Sequence, residues 1–226
     1  MFLWNWTYIL LVPAVLLAAY AQIKLRTTFR RYSGVAASRG LTGAEAAHRL
    51  LQANGIFDVA IGQATGLLSD HYDPRKRQLN LSPQVYSGKS LAAVGVAAHE
   101  TGHAVQHARG YAPMALRSGL VPLTLGSNLA PILFFAGFFF RSPMMMNVAI
   151  LLYSAAVLFT LVTLPVEFNA SKRALAMLPE SGIVTSAELP AVKAVLGAAA
   201  LTYVAAALMA LLQLLRFIIL SRTSDD

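Results

Sequence analysis

The stretch His99-Glu100-Thr101-Gly102-His103 decides how the rest of the chain is interpreted. Side chains four residues apart on a helix lie about 6 Å from each other on one face, so His99 and His103 can both bind one metal ion. Glu100 is rotated from His99 by about a quarter turn, which directs its carboxylate to a water on the metal instead of to the metal itself. This spacing is typical of a catalytic zinc site.

The residues on both sides of this pattern favour a helix from Ser90 to Ala108. They are mostly small or apolar, and Arg109-Gly110 is a stop signal. The chain contains no cysteine, so a metal must take its donors from His, Asp and Glu side chains. The absence of disulfides also fits a reducing, cytoplasmic environment.

The composition is that of a membrane protein, with 57% hydrophobic and only 12% charged residues. Four apolar runs are each about 30 Å long as a helix, enough to span a bilayer. They cover residues 7–23, 119–140, 143–166 and 194–215. We interpret the first run as an uncleaved anchor, because no basic residue precedes it and four follow it closely.

The basic residues predict the orientation of these spans. Of the 18 Lys and Arg residues, 12 lie between the first and second runs and three between the third and fourth. Basic loops are retained in the cytoplasm, so both termini are expected outside. The net charge of +8 predicts attraction to the anionic headgroups of a lipid bilayer. Nucleic-acid binding is not expected, because no basic stripe interleaved with aromatic residues accompanies this charge.

The chain is therefore predicted to be a mainly α, polytopic membrane protein with about four transmembrane helices, a small β-hairpin or sheet and a zincin-like catalytic domain. The predicted parts are an anchor at 1–24, a cytoplasmic catalytic domain at 25–117, a transmembrane hairpin at 118–166, a cytoplasmic segment with the third metal ligand at 167–193, and a last helix with the tail at 194–226.

Two local patterns stand out within the catalytic domain. Thr42-Gly43-Ala44-Glu45 is a capping box that opens a helix, and Asn54-Gly55 ends it. Residues 67–72 and 78–82 predict two strands joined by a turn, a β-hairpin before the metal helix. The hairpin either offers an edge to which a peptide adds as a strand or merely covers the helix.

A catalytic zinc needs three protein ligands and one open position. His107 is eight residues past His99, about 12 Å along the same helix, so it cannot converge with His99 and His103 on one metal. Glu167 follows the third apolar run, and the predicted topology returns it to the side of His99 and His103. We therefore predict Glu167 as the third ligand, the alternative being an ordinary interfacial charge.

Several segments resemble the YugP-type membrane zinc metallopeptidases of bacteria. The resemblance rests on Leu68-Ser69-Asp70-His71-Tyr72-Asp73-Pro74, Leu81-Ser82, Val85-Tyr86, Ala97-Ala98-His99-Glu100-Thr101-Gly102-His103-Ala104-Val105-Gln106, Gly110-Tyr111-Ala112-Pro113 and Pro165-Val166-Glu167-Phe168-Asn169-Ala170-Ser171. HtpX-type and prenyl-protein membrane proteases are more distantly similar. Their ligand Glu precedes an Ala-Asp pair, whereas Ala170 is followed here by Ser171, so no role of that Asp is carried over.

These residues predict a peptidase mechanism. His99, His103 and Glu167 would hold Zn2+, and Glu100 would act first as general base and then as acid. The oxyanion needs a further donor, for which His71, Tyr72, Tyr86 and Tyr111 are available. His71 is the first choice, the alternative being a hydrogen bond in the turn beside Asp73.

Other classes of protein remain alternatives. An intramembrane site-2-type protease would carry the motif on a spanning helix with a later Asp ligand, whereas no Asp lies in the later apolar runs. A non-catalytic adaptor that retains a metal site would not need Glu100. The expected substrate is a peptide or a membrane protein, and the oligomeric state is left open.

Overall fold

The structure, a computed structural model, describes residues 6–66 and 69–223. It is mainly helical with one small sheet. A 3-10 turn at Trp6–Leu11 leads into α1 (Val12–Ser33), and the further elements are α2 (Gly43–Ala53), β1 (Ala60–Gln63), β2 (His71–Asp73), β3 (Gln78–Leu81), α3 (Pro83–Tyr86), α4 (Leu91–Ala108), α5 (Ala112–Ser127), α6 (Ala130–Phe139), α7 (Pro143–Glu180) and α8 (Leu189–Arg222). Leu67 and Leu68, with which the first predicted strand begins, lie outside the described residues, as do the first five and last three residues of the predicted end segments.

The chain forms two compact units, each assembled from segments that are distant in sequence. Of the described residues, unit 1 comprises 6–21, 115–165 and 202–223, and unit 2 comprises 22–66, 69–114 and 166–201. Four helices, α1, α5, α7 and α8, contribute residues to both units. The metal-binding pattern on α4 belongs entirely to unit 2.

Three helices in the described part of the chain are long and apolar enough to cross a membrane: Trp6–Ser33, Pro143–Glu180 and Leu189–Arg222. The single helix predicted over residues 119–140 is wrong, because the structure has α5 and α6 there. Pro131 lies in the first turn of α6, and a proline inside a continuous helix would lose one backbone bond and clash with the preceding turn. Alone, the ten residues of α6 extend only about 15 Å.

The helix that carries Glu167 is longer than predicted. The apolar run ends at Val166, but α7 continues without interruption to Glu180. Glu167 is therefore an internal helix residue, and Ser171 lies one turn beyond it on the same face.

The centre of unit 2 is α4, whose ends follow the predicted signals. Ser90 is the N-cap and accepts a hydrogen bond from the Ala93 backbone N–H at 3.1 Å. The chain leaves the helix after Arg109 through Gly110, whose φ of +62° is a conformation that glycine adopts without strain. Residues of α2, α4, α7 and α8 share one buried cluster, which includes Leu50, Val94, Leu178 and Leu196.

The caps of α2 are also as predicted. Thr42 and Glu45 form both bonds of the capping box. At the other end Asn54 is the C-cap, and Gly55 follows with a φ of +72°. Both ends are thus fixed by local chemistry that the sequence displays.

The sheet contains a hairpin at the predicted place and one additional strand. The first hairpin strand is shorter than predicted, because Ser69 and Asp70 lie before β2 and outside any strand. Strands β2 and β3 pair antiparallel, with His71 opposite Asn80 and Tyr72 opposite Leu79. The unpredicted strand β1 pairs parallel with β3, which gives the order β1-β3-β2 and leaves β2 at an edge. Tyr72 packs on the cluster that contains the fully buried Leu79, so it lies on the core side of the sheet. His71 lies on the opposite face because successive strand residues alternate.

Unit 1 has a separate apolar core. It consists of Phe134, Met146, Ala149, Phe217 and Leu220, with the rings of Phe134 and Phe217 stacked at 4.2 Å between centroids. The residues of the predicted metal site all belong to unit 2.

Candidate metal centre

The structure brings three predicted ligands together. Glu167 Oε2 lies 3.1 Å from His99 Nε2 and 3.5 Å from His103 Nε2. One ligand atom from each residue lies within 4.8 Å of the other two. Within residues 6–66 and 69–223, this is the only group of three or more His, Asp or Glu side chains close enough to hold a metal ion.

Close packing of α4 on α7 makes this convergence possible. His99 and His103 lie one turn apart on α4, and their rings meet edge to face with centroids 4.8 Å apart. Between them, Gly102 faces the backbone of α7, and a Cβ at this position would lie 2.6 Å from the carbonyl oxygen of Ala170. Only glycine therefore lets the two helix backbones approach closely enough for Glu167 to reach both imidazoles.

A hydrogen-bond network orients the imidazole of His103. The buried Gln106 donates from Nε2 to the Val166 carbonyl at 2.8 Å and to Asn169 Oδ1 at 3.0 Å. Because both partners are acceptors, Gln106 Oε1 must be the atom that faces His103 Nδ1, at 3.0 Å. His103 consequently donates its Nδ1–H to Gln106, and its Nε2 is directed toward Glu167.

His99 is held in the same manner. Its Nδ1 lies 3.0 Å from the Ser171 hydroxyl, which can accept the Nδ1–H bond. The Nε2 atom is then also free to act as a ligand. In both imidazoles the nitrogen distant from Glu167 is bonded to a neutral polar group, as metal-binding histidines commonly are.

The converging atoms fit a cation. Two imidazole lone pairs and a carboxylate oxygen repel one another unless a proton or a metal ion lies among them. The group is also largely dry, since Glu167 is 2% exposed and His103 6% exposed. Burial by itself lowers the pKa of His103, but the neighbouring carboxylates of Glu167 and Glu100 outweigh it and raise this pKa above its ordinary value. Two nitrogens and one oxygen are a ligand set suited to Zn2+ with one open position.

Glu100 lies beside this group without belonging to it. It is the next residue on α4 after His99 and is only 8% exposed. Its place agrees with a carboxylate that acts on a neighbouring water, and its role as general base stays a prediction.

The other sequence-predicted residues lie elsewhere. His71 is exposed, with Nδ1 2.8 Å from the Ser69 carbonyl and Nε2 3.2 Å from Asn80 Nδ2, so both ring nitrogens are engaged around the hairpin. His107 is outside the metal group, as its distance along the helix predicts, and its Nδ1 lies 2.8 Å from the Tyr72 hydroxyl.

Sequence reasoning missed the residues that orient the ligands. Gln106 follows His103 by three positions, and Ser171 follows Glu167 by four, so each shares a helix face with a ligand. Asn169 is part of the same network, where it accepts from Gln106 and from Arg173 Nε at 2.7 Å. In the sequence, the signal for such an orienting residue is a polar side chain one helical turn away from a predicted metal ligand.

We expect Gln106→Ala to weaken zinc binding by about 10- to 100-fold, because His103 would lose the acceptor that fixes its Nδ1–H. Competition with a chromophoric chelator measures this affinity. The exposed Gln52→Ala on α2 is the matched control and should bind zinc as the wild type does. Unchanged affinity in Gln106→Ala would show that the ring is held without this amide.

Comparison with known proteins places the chain in a class. The family model described as "putative neutral zinc metallopeptidase" matches residues 7–222, so the chain belongs to this family. Its similarity to the "putative membrane protease YugP" of Bacillus subtilis (strain 168) is 47% identity over 218 residues, which covers 96% of this chain and 97% of that protein. No solved structure matches the chain significantly. The resemblance seen in the sequence is thereby confirmed, and the relative's name together with the three apolar helices indicates a membrane protein.

Proposed function

We propose that this protein is a membrane-bound, zinc-dependent endopeptidase whose active site lies at the cytoplasmic face of the membrane. The observation that carries the proposal is the convergence of His99 Nε2, His103 Nε2 and the Glu167 carboxylate in a buried group, with Glu100 next to it. The family description and the relative's name support the same reaction class.

The three metal ligands and Glu100 have different roles in hydrolysis. Zn2+ bound by His99, His103 and Glu167 would make a water more acidic and polarise the carbonyl of the scissile peptide bond. Glu100 accepts one proton from that water as the water oxygen bonds to the carbonyl carbon. It then delivers the proton to the amide nitrogen as the C–N bond breaks, so the products are a carboxylic acid and an amine.

Chain continuity supports a fourth membrane crossing made by α5 and α6 together. If the apolar part of α7 spans the bilayer, Pro143 and Glu167 lie on opposite sides. His99 lies on the same side as Glu167 because the two side chains are 3.1 Å apart. The chain between α4 and α7 must therefore cross once, and this chain is α5 and α6.

The distribution of basic residues supports a cytoplasmic active site. A cysteine introduced at the exposed Ser87 would then react with a membrane-impermeant maleimide only after the cells are permeabilised. Labelling in intact cells would place unit 2 outside.

The sheet offers a way to bind substrate. Strand β2 is an edge strand of the sheet, and an extended peptide can add to such an edge through backbone hydrogen bonds. We propose membrane proteins or lipid-adjacent peptides as substrates, because Glu167 directly follows the apolar part of α7 in one continuous helix. Equal cleavage of soluble peptides, with membrane proteins untouched, would count against this substrate class.

Metal removal tests the proposed function. Detergent-purified protein should contain about one zinc per chain, as three protein ligands imply. It should cleave casein, lose this activity with 1,10-phenanthroline and regain it when Zn2+ is added. A wild-type protein without zinc, or cleavage that survives chelation, would contradict the proposal and favour a non-catalytic adaptor.

A further inference from the structure

We propose that Tyr72 and His107 form a donor pair that hydrogen-bonds the carbonyl oxygen of the peptide bond being cleaved and stabilises the negative charge that develops on it. The inference rests on the proposed peptidase function and assigns a role to two residues that the metal site does not use. It places the oxyanion donor on this pair instead of on His71.

The position of His107 on α4 is the first step. It follows His103 by four residues and therefore lies on the same helix face, about 6 Å further along the axis. Viewed down the helix, His107 points about 80° from His99, between His103 at about 40° and Glu100 at about 100°. His107 thus lies on the stripe of α4 that carries the ligands and the predicted base.

The side chain of Tyr72 extends from the edge strand β2 to this face of α4. Its side chain lies on the core side of the sheet, where it packs on both buried clusters of unit 2. Its hydroxyl is 2.8 Å from His107 Nδ1, and the two rings are 5.8 Å apart between centroids. The phenol of β2 is therefore placed beside the helix face that carries the metal group.

Counting protons shows that the pair has a donor to spare. A neutral imidazole carries one N–H and a phenol one O–H, and the bond between them consumes one of the two. If Tyr72 donates, His107 keeps its Nε2–H; if His107 donates, Tyr72 keeps its O–H. Within residues 6–66 and 69–223, neither the Tyr72 hydroxyl nor the His107 ring forms another hydrogen bond to the protein. The remaining N–H or O–H of the pair is therefore available to a substrate. Tyr72 and His107 are both partly exposed, so a substrate can approach it.

His71 differs on each of these points. It lies on the outer face of the sheet, and both of its ring nitrogens are already bonded, to Ser69 and Asn80. A donor to an oxyanion must be preorganised toward the reacting carbonyl. The mutual bond between Tyr72 and His107 fixes both rings beside the helix face that carries His99, His103 and Glu100, whereas His71 lies on the other face of the sheet.

The test uses Tyr72→Phe and His107→Asn in the full-length, zinc-loaded protein. The matched controls are Tyr32→Phe on α1 and His48→Asn on the exposed side of α2. Each protein is assayed with a fluorogenic peptide derived from a mapped casein cleavage site. A phosphinic analogue of this peptide, which mimics the tetrahedral oxyanion, is titrated by calorimetry as a readout that needs no turnover.

For Tyr72→Phe we expect kcat to fall by about 100-fold, the usual loss on removal of one oxyanion donor. KM, zinc content and melting temperature should stay close to wild type, since ground-state binding and the fold do not need the donor. Affinity for the phosphinic peptide should fall in parallel with kcat/KM. The double variant should lose little more than either single one, because the residues act as a unit.

Three results would overturn the role. The first is an unchanged kcat in Tyr72→Phe and His107→Asn. The second is a raised KM together with a lowered melting temperature. This result would mean that the pair only holds β2 against α4. The third is a kcat loss in His71→Ala while the pair variants keep their activity. A wild-type protein that binds zinc yet cleaves nothing would instead overturn the proposed function, and this role with it.

Discussion

Glu100→Gln is expected to lower casein cleavage by about 100- to 10,000-fold while the purified protein keeps its zinc. Glutamine has nearly the shape of glutamate, so α4 and its packing should persist. The amide cannot accept the proton of the attacking water, and it cannot deliver one to the leaving nitrogen. Because Glu100 lies outside the group of converging ligand atoms, its loss leaves those atoms unchanged.

Elemental analysis and initial rates on the same preparation measure the two parts of this result. Glu180→Gln, at the exposed end of α7, is the control for the chemical change and should be fully active. Loss of zinc from Glu100→Gln would make Glu100 a ligand instead of the base. Undiminished cleavage would remove it from the reaction.

The parts of the fold that the sequence predicted are those fixed by local chemistry. The Ser90 cap, the stop at Gly110 and the Thr42–Glu45 capping box are each set by residues within one turn of a helix end. The β2–β3 hairpin likewise depends on neighbouring residues. In all these cases the partner groups are close in sequence, so a pattern can display them.

The parts that were missed depend on contacts between distant residues. Strand β1 has little apolar alternation of its own and exists because β3 supplies its hydrogen bonds. The orientation of Gln106 is decided by Val166 and Asn169, about 60 positions away. Gly102 is notable only because α7 passes against it, which no local pattern reveals.

The metal centre could be predicted from the sequence only in part. His99 and His103 were readable from their spacing on one helix. Glu167 is predicted as the third ligand because acidic residues are scarce in this chain and the predicted topology returns it to the side of His99 and His103. That the two helices place its oxygen 3.1 Å from His99 Nε2 required the structure.

The second large effect is expected from Glu167→Ala, which should lose both zinc and cleavage. The carboxylate would contribute one of the three candidate ligand atoms and the only negative charge among them. Two neutral imidazoles on one helix then remain, too few for a catalytic zinc site. Alanine favours helix, so α7 should form as before.

This variant distinguishes between two roles of Glu167, that of a metal ligand and that of an interfacial charge. If Glu167 served only as a charge near the lipid headgroups, its removal would leave the zinc content at the wild-type level and change activity little. Glu180→Ala, which removes a carboxylate from the same helix at an exposed position, controls for the change in charge and should keep both zinc and activity. Together with Glu100→Gln the expected result is diagnostic: both variants should lose cleavage and only Glu167→Ala should lose the metal, which is the outcome if one carboxylate holds the ion and the other moves the proton.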